Sequence, residues 1–442
     1  MASLQSADHE AHGPLVEIER AVQARAKDVA LDVAGPEGES ALRELIDREV
    51  DRWDDEFRRG LRSFALASPQ LVAERAFRNL ARYGPLTPLL EDDDVWEIMI
   101  NAPDQVFVKR HRGASGYHHE VFHDDEHVVR TLTKVLDDAS TSHRKLDAAE
   151  GLQDAQLNDG ARMHIVHNDL SRGGNVMVNI RKFTGVAFRS LDELVDREML
   201  DETVAGFLRA AVTAHTSIVF AGPPGSGKTT LLACCAAELD PTLRVVVAEE
   251  VFEADVPLPN VASMQTRAAR TDRPAIDLRK LVSGFLRMAP DVAIVGEVRD
   301  REALPLLLTL SSGVKGFTTI HAGSARQALT RLRFVAQLAD EGAGLPLSAL
   351  NTLVSEAVDL VVYCSRDPIG PRVTEIVAVE DLVARPDATQ FTISEVFARN
   401  GPEQRLSWSG QVPLRLGRRF ERAGIDIADH LRERAIAPRR PF

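Results

Sequence analysis

Residues 219–232 read V-F-A-G-P-P-G-S-G-K-T-T-L-L, so Gly222, Gly227, Lys228 and Thr229 satisfy the spacing G-x-x-x-x-G-K-[ST] without a substitution. This is the pattern of a phosphate-binding loop, in which backbone N–H groups form a nest that closes onto a helix N-terminus. Glycines let the backbone curl around phosphate oxygens with no side chain in the way. Lys228 is placed to reach the β- and γ-phosphates, and the Thr229 hydroxyl is placed to sit on Mg2+. Pro223, Pro224, Gly225, Ser226 and Thr230 complete the set read as nucleotide-binding, with a nucleotide and Mg2+ as the ligands. The context fits, because Ser217-Ile218-Val219-Phe220 supplies a strand before the loop and Leu231-Leu232-Ala233 opens a helix after it.

Three further apolar runs end in groups suited to phosphoryl transfer. Val245-Val246-Val247-Ala248 is followed by Glu249, Glu250 and, shortly after, Glu253. Val292-Ala293-Ile294-Val295 is followed by Gly296, Glu297 and Arg299, and Gly316-Phe317-Thr318-Thr319-Ile320 by His321. Hydrolysis of a nucleoside triphosphate needs an acid near the metal and its water shell, a group that orients the attacking water, and a sensor of the γ-phosphate. Alone, a glutamate after a strand is an ordinary solvated group and a histidine there an ordinary structural one. Their joint order behind an intact phosphate loop favours the catalytic reading.

These residues need a frame to hold them. From about residue 202 onward, short apolar strands alternate with helices, the arrangement of a parallel sheet covered on both faces. In such sheets the strand C-termini carry the chemistry. Val361-Val362-Tyr363 and the run 373–379 continue the strands, and a polar helical tail follows. Upstream, Leu42, Leu45, Ile46, Val50, Trp53 and Phe57 recur at helical spacing, and Tyr83-Gly84-Pro85-Leu86-Thr87-Pro88 breaks that pattern. The short alternating stretches 96–101 and 105–109 read as strands, 126–140 as a helix, and 157–166 as a hairpin turning at Asp159-Gly160. The segment 176–181 closes this smaller α+β region. The expected divisions are a flexible tail at 1–38, a helical segment at 39–84, an α+β domain at 85–183, a linker at 184–201 and the α/β domain with a C-terminal extension at 202–442.

Composition bounds the class. A chain of 442 residues with 44% hydrophobic and 27% charged residues is globular and of several domains. Its formal net charge of -13 argues against broad, sequence-independent DNA binding, which needs basic surface to displace counterions. It contains no apolar run of about 18 residues, and its first thirty residues lack the pattern of a secretory signal, so a cytoplasmic location is expected. Cys234, Cys235 and Cys364 have no metal-ligand spacing and read as small buried side chains.

Residues 222–229, 248–253, 286–299 and 316–322 resemble, in order, the Walker A, Asp, Walker B and His boxes of the type II/IV secretion-system ATPases. They are most similar to the CpaF/TadA-type branch that drives Flp/Tad pilus assembly. The resemblance also takes in residues 83–90, 97–104, 154–162 and 180–183, and so covers roughly residues 40–400. It implies an ATPase with a RecA-like α/β motor domain behind a smaller α+β domain. It implies roles for Glu249 as the acid that polarises the attacking water, Glu297 as the Walker B acid near Mg2+, and His321 as the His-box residue. Arginines of the N-terminal domain approach the phosphates in this family, which makes Arg162 and Arg181 the matching candidates. Arg267 is a third, acting between subunits. The resemblance further implies a homo-oligomer, a hexameric ring, that docks on inner-membrane secretion or pilus platform proteins. Membrane association then runs through those partners at the inner face of the cell membrane.

Two positions depart from the family pattern. The Asp box reads Glu249-Glu250 where Glu-Asp is usual, and Asp300 stands where Gly usually follows the Walker B Val-Arg. Neither removes an indispensable group, so an active enzyme is expected. Two other readings compete: a conjugative DNA-transfer ATPase or nucleic-acid motor on the same fold, and a non-catalytic scaffold switched by nucleotide. The acidic balance and the lack of aromatic-basic clusters count against direct nucleic-acid contact.

Overall fold

A computed structural model of the chain describes residues 2–33, 35–110, 113–139, 145–158, 160–182, 188–267, 274–339, 344–367, 370–380, 390–399, 406–428 and 431. The fold divides into two compact units, Met1–Thr184 and Gly185–Phe442.

The first unit opens with helices α1 (Ala2–Asp28), α2 (Gly35–Arg58) and α3 (Pro69–Ala81). In α2 the apolar positions Leu42, Ile46, Val50 and Trp53 fall on one face at steps of three and four. They bury against Val72, Ala76 and Phe77 of α3 and against Leu15, Ile18 and Val22 of α1. Within the segment 1–38, expected from its polarity to be a flexible tail, Leu15, Ile18 and Val22 are thus buried in a core. Leu15, Ile18 and Val22 also recur at helical spacing, and the partner faces of α2 and α3 give that stripe a core to join.

A short helix α4 (Leu86–Glu91) leads into the strands β1 (Val95–Ala102), β2 (Gln105–Arg110) and β3 (Gly116–Tyr117). Helix α5 (Asp125–Asp138) follows, with the Asp124 carboxylate accepting from the His127 N–H as its N-cap. Strands β4 (Leu152–Gln156), β5 (Arg162–Val166) and β6 (Met177–Arg181) complete an antiparallel sheet in the order β3-β2-β1-β6-β5-β4. The hairpin expected over 157–166 is the β4–β5 connection, although Asp159 lies outside the described residues. Ile98, Ile100, Val106, Met163, Ile165, Val178 and Ile180 point to one side of this sheet, where Val128, Leu132 and Leu136 of α5 cover them. Buried polar contacts join the helices to the sheet region. His123 Nε2 lies 2.9 Å from Glu19 Oε2, and Asn79 Nδ2 donates to Glu19 Oε1 at 2.7 Å.

The second unit contains α6 (Leu191–Asp196), α7 (Glu202–Thr213), β7 (Ile218–Ala221), α8 (Lys228–Ala237), β8 (Val245–Glu249) and β9 (Val261–Gln265). Next come α9 (Leu278–Val282), β10 (Val292–Val295), α10 (Ala303–Ser311), β11 (Lys315–Ile320), α11 (Ala325–Leu338) and α12 (Leu347–Ala357). The last elements are β12 (Leu360–Asp367), β13 (Gly370–Val379), β14 (Ile393–Ala398), β15 (Ser407–Trp408) and α13 (Leu414–Arg422). The sheet order is β15-β14-β13-β12-β7-β11-β10-β8-β9. The six strands from β12 to β9 run parallel, and β13, β14 and β15 add antiparallel.

Alternation along β7 divides two cores. Ile218 and Phe220 join α6, α7, α8 and α13 on one face, whereas Val219 and Ala221 join α9, α10, α11 and α12 on the other. This two-faced burial explains why the strands read as unbroken apolar runs. The described part of the expected linker at 184–201 joins this packing. Leu191, Leu194, Met199 and Leu200 are buried in the first of these cores, so residues from 188 onward belong to the α/β unit.

Candidate functional site: a phosphate loop with acids and a histidine at the neighbouring strand ends

Parallel pairing sets the site. β7 and β11 pair Ala221 with Ile320, β11 and β10 pair Thr318 with Val295, and β10 and β8 pair Val295 with Ala248. The residues at or just beyond the C-terminal ends of these strands therefore emerge along one edge: Gly222, His321, Gly296-Glu297 and Glu249. β11 lies between the phosphate-loop strand and the strand carrying Glu297, which is the RecA-like arrangement.

The loop itself needs its glycines. Gly222, Gly225 and Gly227 have φ of 151°, 71° and 82°, and a Cβ on Gly222 would stand 2.1 Å from Cys364 O. Gly227 is the left-handed residue immediately before α8, so the loop hands over to the helix in its first turn. Ser226 is fully buried and its hydroxyl donates to Pro223 O at 2.8 Å, so its side chain closes the loop, leaving its backbone for the nest. Thr229 and Thr230 follow in the first turn of α8, both half-buried.

Lys228 is buried, with Nζ donating to Pro223 O at 3.0 Å and lying 3.2 Å from His321 Nδ1. His321 Nε2 lies 3.0 Å from Glu297 Oε1. The ring thus stands between Glu297 on its Nε2 side and, on its Nδ1 side, Lys228 and the Gly222 carbonyl, the latter also at 3.2 Å. Glu297 Oε2 accepts from Arg299 Nη2 at 2.7 Å, and Arg299 Nη1 donates to Glu250 Oε2 at 3.1 Å. Burial alone pushes the Glu297 carboxyl up. The hydrogen bonds and charges of His321 and Arg299 more than reverse that and bring it down to about 2. The Arg299 guanidinium is raised, first by its bond to Glu297.

Glu249 is 3% exposed, and its Oε1 accepts from the N–H groups of Glu253 at 3.2 Å and Ala254 at 3.0 Å. Gly296 makes room for it, because a Cβ there would stand 2.8 Å from Glu249 Cγ and Oε1. The structure thus brings Glu249 against the residue that precedes Glu297. Of the two departures from the family pattern, Glu250 pairs with Arg299; at Asp300 the backbone N–H, which a glycine would also supply, donates to Glu302 Oε1 at 2.8 Å.

Of the three arginine candidates, Arg162 and Arg181 belong to the first unit and Arg267 to the second. Arg162 and Arg181 face each other across β5 and β6 in the first unit, with Arg181 also opposite Glu97 on β1. Arg267 follows β9, the outer strand of the second sheet, and its Nη2 donates to Pro274 O at 3.2 Å. Strand order keeps it away from the phosphate loop of its own chain. Sequence reasoning set Arg299 among the strand-end groups suited to phosphoryl transfer without naming its partner, and the structure supplies two, Glu297 and Glu250. Sequence reasoning missed Arg366 altogether; Arg366 Nη1 donates to Gly225 O at 3.0 Å.

The residues fit nucleotide and Mg2+ in kind. The nest is a cradle that a Cβ would fill, and a buried ammonium stands beside it. Among the described residues no cluster of three or more His, Cys, Asp or Glu is disposed to hold a metal. Mg2+ is suited to such a site, because it takes one or two protein groups and completes its shell with phosphates and water. The three cysteines are buried, with the Cys234 and Cys364 thiols pushed by burial to about 12 and Cys235 well above its ordinary value. No helix among the described residues is long and apolar enough to cross a membrane.

Fold and site together define a RecA-like α/β nucleotide-binding domain behind a smaller unit that carries the antiparallel sheet. The model of the type II/IV secretion system protein family matches residues 79–383, and the chain belongs to that family. The conjugal transfer protein TrbB of Rhizobium radiobacter is 36% identical over 43% of this chain and 56% of its own. The type IV secretion system protein VirB11 of Bartonella quintana is 26% identical over 67% of this chain and 92% of its own. The crystal structure of the Brucella suis VirB11 ATPase in complex with sulphate aligns over 66% of this chain and 94% of that one, at 26% identity and a TM-score of 0.35.

Proposed function

We propose that the chain is an ATP-hydrolysing motor of a secretion or Flp/Tad-type pilus-assembly machine, working as a homo-hexameric ring at the cytoplasmic face of the membrane. The observation that carries this reading is the placement of Lys228, Glu297, His321 and Glu249 at adjoining strand ends around one phosphate loop. Lys228 exchanges Pro223 O and His321 for the β- and γ-phosphates. Glu249 orients the attacking water, and His321, bonded to both Lys228 and Glu297, senses whether the γ-phosphate is present. Thr229 and Glu297 would hold Mg2+, partly through water, and the bound ion would supply charge neutralisation.

The family resemblance and the facing pair Arg162 and Arg181 support a late contribution of arginine from the first unit to the phosphates, with Arg267 serving a neighbouring subunit. An arginine supplied in this way is worth about 10³–10⁵ in rate in other nucleotide hydrolases. Motion in the ring then passes to inner-membrane platform proteins. Purified protein is expected to hydrolyse ATP at a rate that rises as native mass spectrometry shows hexamers forming. Turnover that stays constant across that assembly contradicts the ring.

The conjugal transfer relative favours a second reading, a DNA-transfer motor on the same fold. Under it, turnover is stimulated by DNA and falls steeply with salt.

A further inference from the structure

The phosphate loop has two flanks. On the β11 side stand Lys228, His321 and Glu297, the groups suited to the γ-phosphate. On the other side β12 runs parallel to β7, pairs Tyr363 with Ala221, and continues beside the loop. Cys364 O closes against Gly222, and Pro371 Cβ lies 3.2 Å from where a Cβ on Gly227 would stand. Arg366 is exposed, and its Nη1 reaches Gly225 O at 3.0 Å. Arg372 on the same flank is engaged by two carboxylates, Glu198 at 3.3 Å and Asp367 at 3.4 Å. Among the described residues Arg366 is by contrast held by a neutral carbonyl, a weaker hold on a charged group.

A nucleoside triphosphate is a polar rod. With its γ end against Lys228 and Glu297, its nucleoside end runs toward the opposite flank, where a guanidinium stands beside a proline ring. We propose that Arg366 is a nucleotide-contacting residue that recognises the nucleoside half of the substrate, exchanging the Gly225 carbonyl for the base. A planar guanidinium stacks on heteroaromatic rings and donates to their edges, and an ammonium on a flexible stem does this less well. The inference rests on the reading that ATP occupies the phosphate loop.

The test is equilibrium binding of ATP and of inorganic tripolyphosphate, each with Mg2+, to the full chain and to Arg366→Ala and Arg366→Lys, with thermal melting as the control for folding. Tripolyphosphate offers the loop its phosphates and offers Arg366 no base. Arg366→Ala is expected to weaken ATP about ten-fold, within the range of a partly desolvated cation–π contact, and to leave tripolyphosphate within about two-fold. Arg366→Lys is expected to keep tripolyphosphate binding and to fall between the other two for ATP. Equal losses for both ligands, as a residue that merely braces the loop would give, overturn the proposal, and so does unchanged ATP affinity. A wild-type chain that binds neither ligand overturns the phosphate-loop reading itself.

Discussion

At the residue scale, Glu250, Arg299, Glu297, His321, Lys228 and the Pro223 carbonyl form one continuous run of contacts. Each charge is held by the next, so Lys228 and Glu297 are already aimed along the strand edge. The hydrogen bonds from His321 and Arg299 lower the Glu297 carboxyl from an ordinary 4.5 to about 2, against the opposing effect of burial. Between those values the unfolded chain binds the proton and the folded chain does not. This contribution to stability is therefore complete above pH 4.5 and is lost as pH falls toward 2. His321→Ala removes one of the two donors, so urea unfolding across that acid range is expected to show a shallower pH slope than in wild type. An unchanged slope contradicts the pairing. The phosphate loop was legible in the sequence because a backbone nest requires glycine at fixed positions, and the strand-end acids were legible because each follows an apolar run. Arg366 was not, since it comes from a distant strand and only sheet pairing brings it to the loop.

At the element scale, the strands of the parallel sheet were readable because burial on both faces leaves no polar alternation, only short apolar runs. Helices α1 and α6 were not readable as core elements. The stripe Leu15, Ile18, Val22 lies beside polar residues, and its burial depends on the facing stripes of α2 and α3. The helix α6 is too short to show a period, yet Ser190 caps it by accepting from the Glu193 N–H, and Leu191 and Leu194 are buried at its base. Leu191→Ala combined with Leu194→Ala is expected to destabilise the full chain, each by about 2–5 kcal/mol, as leucine truncations in packed cores do. Chemical denaturation checks this; a segment acting as a free linker would leave the midpoint unmoved. A second device ties the far end of the same sheet. Asp359, at the start of β12, accepts from Ser217 N at 2.8 Å and pairs with Arg415 and Arg419 of α13, both at 2.9 Å. Helix α13 is thereby held at the end of the sheet opposite the phosphate loop.

At the scale of the whole molecule, one unit carries the phosphate loop and the acids, and the other carries the paired arginines Arg162 and Arg181. Family membership places this combination among the type II/IV secretion system proteins, and the strand-end geometry gives it the equipment for nucleotide chemistry. The central claim is that Lys228 grips the nucleotide and Glu297 serves its hydrolysis. Phosphate release from ATP and Mg2+, measured alongside nucleotide binding in wild type, Lys228→Ala and Glu297→Gln, separates those two roles. Wild type is expected to turn over and Lys228→Ala to lose binding and turnover together. Glu297→Gln is expected to bind nucleotide while turnover falls about 10²–10³-fold, the usual cost of removing one preorganised electrostatic group. Wild-type protein that releases no more phosphate than either variant contradicts the account.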